Sequence, residues 1–146
     1  MNKAVMLSIR PQWCEKIASG EKTIEVRKTR PKLETPFKCY IYCTNNNTDN
    51  NPRNIWRRKD RTGFEHILNG KVIGEFSCDS IFPIWDGYAG NNGDDCLSFD
   101  ERENYLNGEM GYGWHISDLV IYDKLRYLGE FGINRPSQSW RYVEEC

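Results

Sequence analysis

Strand-like segments dominate this chain, and they follow one another with almost no helix between them. "AVMLSI" (4–9) is a short apolar run, "KTIEVRKTR" (22–30) alternates, and "FKCYIYCT" (37–44) is mostly apolar. Further strands are expected from Lys71 to about Ile81, across 111–128 and near 139–144. A parallel sheet needs crossover connections, usually helical, of a dozen or more residues, and this chain has few places for them. "RPQWCEKIASG" (10–20) is one expected helix: Pro11 suits its first turn, Trp13, Ile17 and Ala18 form a stripe, and Gly20 stops it. The other is 98–107, where Ser98 and Glu101 have the spacing of a capping box. About six strands and two helices predict an α+β, mostly β chain: a small mixed or antiparallel barrel with helices packed on its outside. The 146 residues suit a single domain spanning 1–146.

Charge and cysteines narrow the function. A net charge of −1 argues against a sequence-blind nucleic-acid coat. It leaves room for a local basic groove, because distribution matters more than the sum. The polar stretch 45–63, "NNNTDNNPRNIWRRKDRTG", is expected to be a loop; it carries Arg53, Arg57, Arg58, Lys59 and Arg61 around Trp56. Six cysteines are scattered without a C-x2-C pair. Cys39 and Cys43 would sit about 13 Å apart along a strand, too far to share one ion. Free thiols, no metal and no cofactor are therefore expected. "MNKAVMLSIR" lacks the pattern of a secretory signal, since Arg10 and Pro11 break its short apolar run. No run approaches the ~18 apolar residues of a membrane span. These features predict a cytoplasmic protein with no membrane partner.

"GEKTIEVRK" (20–28) is too polar for an ordinary core strand. Thr23, Glu25 and Arg27 share one face of it, and Ile24 and Val26 the other. Alternating charges on a strand are most often a solvated face. Here both signs and a hydroxyl follow directly on a glycine at a helix end. Lys and Arg suit phosphates or carbonyls, and a Glu beside them can accept from a base edge or orient the Arg.

These residues resemble the start of ASCH domains, relatives of the PUA RNA-binding domains. The G-x-K-x-x-E-x-R motif stands complete as Gly20, Lys22, Glu25 and Arg27. The resemblance continues through "PFKCYIYCT", "GKVIGEFSCD", "GYGWHISDLVIYDK" and "RPSQSWRYVEE", and covers most of the chain. It implies a PUA-like six-stranded mixed β-barrel with flanking short helices and a cleft beside it, where the motif residues bind RNA or a modified nucleotide. Trp85 is the best stacking candidate, and Arg57 and Arg58 are candidates for phosphate contacts. The resemblance also implies two alternatives. One is a small hydrolase of acylated cytidine, other modified nucleosides or RNA, using Lys22, Thr23 and Glu75; Glu25 then stands where the nucleophilic Thr would fall. The other is a protein-interaction domain with a vestigial cleft.

Overall fold

The computed structural model describes residues 2–45, 55–85 and 94–145. Six strands form one mixed sheet: β1 (Lys3–Ile9), β2 (Ile24–Arg27), β3 (Phe37–Cys43), β6 (Val72–Ile84), β7 (Gly111–Arg126) and β8 (Trp140–Glu144). Their order across the sheet is β2-β7-β6-β3-β1-β8. Only β1 and β3 run parallel, with Val5 opposite Cys39 and Ile9 opposite Cys43; the remaining pairs are antiparallel. A separate hairpin joins β4 (Arg57–Lys59) to β5 (Glu65–Ile67). The expected α+β, mostly β architecture is present. The stretch expected to be a loop from 45 to 63 contains β4. Its residues 46–54, with Arg53, lie outside the described part.

Period-two patterning explains the layers. Val5, Leu7 and Ile9 of β1 and Cys39, Ile41 and Cys43 of β3 bury one face against Cys14 and Ile17 of helix α1 (Pro11–Ala18). The intervening Ala4, Met6, Tyr40 and Tyr42 pack on the opposite face with Val72 and Ile133. Both faces are covered, which is why these strands are apolar throughout. Trp56, placed by its sequence among loop arginines, is only 6% exposed and belongs to the first cluster. The register of β6 and β7 shifts around Gly74, where a Cβ would fall 2.4 Å from the Val120 carbonyl oxygen. Only glycine lets the two backbones approach that closely.

Helix α2 (Phe99–Leu106) begins as expected. Ser98 Oγ accepts from the Glu101 amide and Glu101 Oε1 from the Ser98 amide, a reciprocal cap. The buried Asp95 carboxylate docks the helix by accepting from Nε and Nη2 of Arg102 at 2.9 and 2.7 Å.

The sheet differs from the expected barrel in one respect. Among the described residues no ladder joins its end strands, β2 and β8. Side chains bridge the seam instead. Arg27 donates from Nη1 to Ser139 O and Oγ, both at 3.2 Å, and from Nη2 to Ser8 O at 2.9 Å. Beyond it, Trp140 Nε1 donates to Thr29 Oγ1 and the Lys32 amide to Tyr142 Oη. The strand expected over 22–30 shortens to four residues because its continuation is held by these side chains rather than by a ladder.

Candidate functional site

The bridged seam is also the floor of a cleft of about 520 Å³, within the usual range for small-molecule sites. Four elements supply most of it, with Thr44 after β3 and Gln138 and Ser139 before β8 completing the wall. The end of β1 gives Ser8 and Ile9, α1 gives Trp13, β2 with the turn before it gives Lys22, Glu25 and Arg27, and α2 gives Tyr105.

The turn between α1 and β2 sets the approach of Lys22. Gly20 follows the helix at φ +84°, the left-handed conformation that glycine adopts without penalty. The chain then reverses, and the amides of Thr23 and Ile24 both donate to Asp94 O. Lys22 is 2% exposed, with its ammonium donating to Asp95 O and lying 5.4 Å from the centre of the Trp13 ring. No carboxylate among the described residues pairs with it. The docking of α2 through Asp95 and Arg102 thus also fixes the carbonyl that holds Lys22.

Glu25 is 6% exposed. Its Oε1 lies 3.7 Å from Arg27 Nε, beyond good hydrogen-bond distance, and its Oε2 has no partner. Among the described residues, Glu25 Oε2, Arg27 Nε, Ser8 Oγ and Thr44 Oγ1 are all buried without a hydrogen-bond partner, and all four residues line the same cleft. Buried polar groups are nearly always hydrogen-bonded, and each one left unmade costs about 1–3 kcal/mol. Four of the six such atoms among the described residues gather at this one cleft.

The cleft's other groups restrict its chemistry. Burial holds the Cys14 thiol well above its ordinary range, with the neighbouring Cys43 acting in the same direction. Cys14, which packs in the core behind the cleft, is therefore a protonated thiol at neutral pH and not a nucleophile. Burial also raises the Tyr105 phenol, so it stays a neutral donor. Cys14, Cys39, Cys43, Cys78 and Cys96 are all free thiols.

Lys22, Glu25 and Arg27 thus come together. Gly20 shapes the turn beside them without lining the cleft. Thr23 is adjacent in sequence but is not among the lining residues. Glu75 sits on the other face of the sheet, opposite Tyr40, where it accepts from Lys38 Nζ at 2.9 Å and Tyr122 Oη at 2.8 Å. Burial alone would raise its carboxyl; the bonds from Lys38 and Tyr122 outweigh this and lower it. Trp85, at the end of β6, is 56% exposed and outside the cleft. His115, on β7, pairs with Asp79 at 2.6 Å.

Arg57 and Arg58 lie on the separate β4–β5 hairpin. Asp60 locks its turn: Oδ1 accepts from the Thr62 amide and hydroxyl and the Phe64 amide, and Oδ2 pairs with His66 Nε2 at 2.7 Å. The bond from Thr62, then that from His66, holds the Asp60 carboxyl well below the usual carboxylate range. A depressed carboxyl contributes stability that is present above its unfolded pKa and lost as pH falls through the folded one. Protection of the Thr62 and Phe64 amides against hydrogen exchange should therefore hold from neutral pH down to about 4 and fall only below that. Asp60→Ala should remove it at every pH, and protection surviving that change would contradict the turn described.

Sequence comparisons are silent: no family model and no curated protein matches this chain. Solved structures do match. The crystal structure of ASCH from Zymomonas mobilis superposes with a TM-score of 0.68 at 20% identity, covering 97% of this chain and 88% of that one. Two mutant forms of the same protein give TM-scores of 0.67, at 20% and 19% identity, covering 99% and 97% of this chain and 92% and 89% of theirs. No helix among the described residues is long and apolar enough to cross a membrane. The agreement over nearly the whole chain gives the protein its place: it has the fold of an ASCH domain.

Proposed function

We propose that the cleft binds a nucleobase, carried by single-stranded RNA or by a modified nucleotide. The observation that carries this reading is the set of unpartnered buried atoms, Glu25 Oε2 above all. A carboxylate oxygen there favours a neutral edge bearing an N–H and disfavours a phosphate. Carboxylate side chains accept from base amino groups in this manner. The Lys22 ammonium, held by one carbonyl, has donors left for an acceptor on the same ligand edge. Trp13 and Tyr105 add aromatic surface from two helices, and stacking a base on an aromatic ring contributes about 1–3 kcal/mol.

The test is a titration of the four ribonucleosides and a short single-stranded RNA, followed by tryptophan fluorescence, since Trp13 lines the cleft. Wild-type protein should show a saturable change with at least one nucleoside. Lys22→Met should weaken that binding about tenfold, the lower end of what a charged hydrogen bond contributes. Absence of binding by the wild type to every one of the nucleosides at low salt would overturn the proposal.

A further inference from the structure

The Ser8, Ile9 and Thr44 side of the cleft lies at the same end of the sheet as the β4–β5 hairpin, whereas Glu25 and Arg27 lie opposite Trp114 and Tyr112 near the start of β7. β1 and β3 finish together, with Ile9 opposite Cys43 and the Thr44 amide bonded to Ile9 O. β6 starts beside them, with Val72 opposite Tyr42, and β7 finishes there, with Arg126 opposite Val72. Backbone bonds tie the chain leaving the hairpin to this end: the Gly70 amide donates to Cys43 O and the Cys43 amide to Lys71 O, while the Leu68 amide donates to Trp56 O across the hairpin's own base. Trp56, buried in the core, anchors the strand that carries Arg57, Arg58 and Lys59. Three strand spacings, roughly 14 Å, separate β1 from β7 across this end.

The hairpin is unusual in its charges. Arg57, Arg58 and Lys59 are consecutive, exposed and without an ion pair among the described residues. Lys59 lies opposite Glu65 in the ladder, yet no salt bridge joins them. Asp60, the nearest acid in sequence, spends its carboxylate on the turn and His66. Arg58, Lys59 and Arg61 border a second groove of about 330 Å³ between the hairpin and β7, and Phe64 stands 66% exposed at the turn. Arg61 pairs with Asp123 at 3.7 Å, so in a chain of net charge −1 it is Arg57, Arg58 and Lys59 that form a local concentration of positive charge without ion pairs among the described residues, beside an exposed ring. That combination suits the backbone and bases of a flexible strand.

We infer that the β4–β5 hairpin is a second contact surface, which holds the phosphates of the same single-stranded nucleic acid whose base enters the cleft. The choice of ligand rests on the cleft reading. The contact is electrostatic and blind to sequence. It would lengthen the footprint beyond one nucleotide and make oligonucleotides bind more tightly than nucleosides.

The experiment compares wild type, the triple variant R57A/R58A/K59A and the charge-preserving R57K/R58K/K59R. Each is titrated with a single nucleoside and with a short single-stranded RNA at several salt concentrations. An unchanged melting temperature shows that the exposed substitutions leave the fold intact. The alanine variant should lose at least tenfold in oligonucleotide affinity and flatten its salt dependence by about two units of slope, from ~0.7 per phosphate contact on single strands. Its nucleoside affinity should not move, and the charge-preserving variant should match wild type. Wild-type oligonucleotide affinity and slope in the alanine variant would overturn the inference while leaving the cleft reading intact. Conversely, hairpin-dependent RNA binding with no nucleoside binding would overturn the cleft reading and support the hairpin. If the wild type binds no oligonucleotide, the inference fails.

Discussion

Replacing Arg27 with methionine should destabilise the protein by about 3–5 kcal/mol, the range for removing one partner from a buried charged pair. Arg27 is 7% exposed and sits where the sheet is open. Its guanidinium gives three hydrogen bonds across the seam, two to Ser139 and one to Ser8. Methionine keeps much of the packing volume but leaves Ser8 O without this donor, and Ser139 O with only the Ser8 amide. It also leaves the Glu25 carboxylate buried with no cation at 3.7 Å. The melting temperature should fall by more than roughly 10 °C, given the usual conversion for a chain of this size. Arg27→Lys should recover only part of the loss, because an ammonium cannot span two acceptors in the guanidinium's fixed fork. If Arg27 were held for ligand binding alone, Arg27→Met would leave the melting temperature unchanged or raise it. That result would remove Arg27 as the latch.

This distinction was not legible in the sequence. The alternation in "GEKTIEVRK" put Glu25 and Arg27 on one face, and both do reach the cleft. Alternation cannot say that the sheet stays open beside Arg27, because closure depends on β8, more than a hundred residues later. Local signals fared better. The capping box at Ser98 and the turn glycine at Gly20 each specify their own neighbourhood and appear where expected. Trp56 departs from its local pattern for the opposite reason. Its flanking arginines and asparagines made the whole segment resemble a loop, whereas burial of one large ring is enough to pin a short strand to the core. Ser8 and Thr44 carried no signal at all. Each lies in an apolar strand or at its end, and only the unpartnered hydroxyls, seen in three dimensions, place them in the site. The Asp95–Arg102 pair, which fixes the carbonyl behind Lys22, is equally invisible until α2 is docked.

Glu25→Gln should separate binding from stability. The carboxylate now has one oxygen toward Arg27 and the other, Oε2, unpartnered in the cleft. Glutamine has only one acceptor. The guanidinium nearby draws that oxygen, so the amide nitrogen turns toward the ligand and meets the ligand's N–H donor to donor. Affinity for nucleoside should drop on the order of 100-fold, near the upper part of the 1.5–3 kcal/mol range for a charged hydrogen bond. Folding stability should change far less, by about 1 kcal/mol in either direction. The substitution removes the cost of burying a partly satisfied charge, and it leaves Arg27 with its three bonds to Ser8 and Ser139 and an amide oxygen in place of Oε1, so no buried cation is left without acceptors. The measurement is a nucleoside titration alongside a denaturant melt of the same preparation. Wild-type affinity in Glu25→Gln would mean that the unpartnered oxygen does not contact the ligand. A loss of stability as large as that of Arg27→Met would assign Glu25 to the seam instead of the site. Unchanged stability with lost affinity is the expected pair of results, and it would explain why a four-residue edge strand keeps a buried carboxylate that its own fold leaves half satisfied.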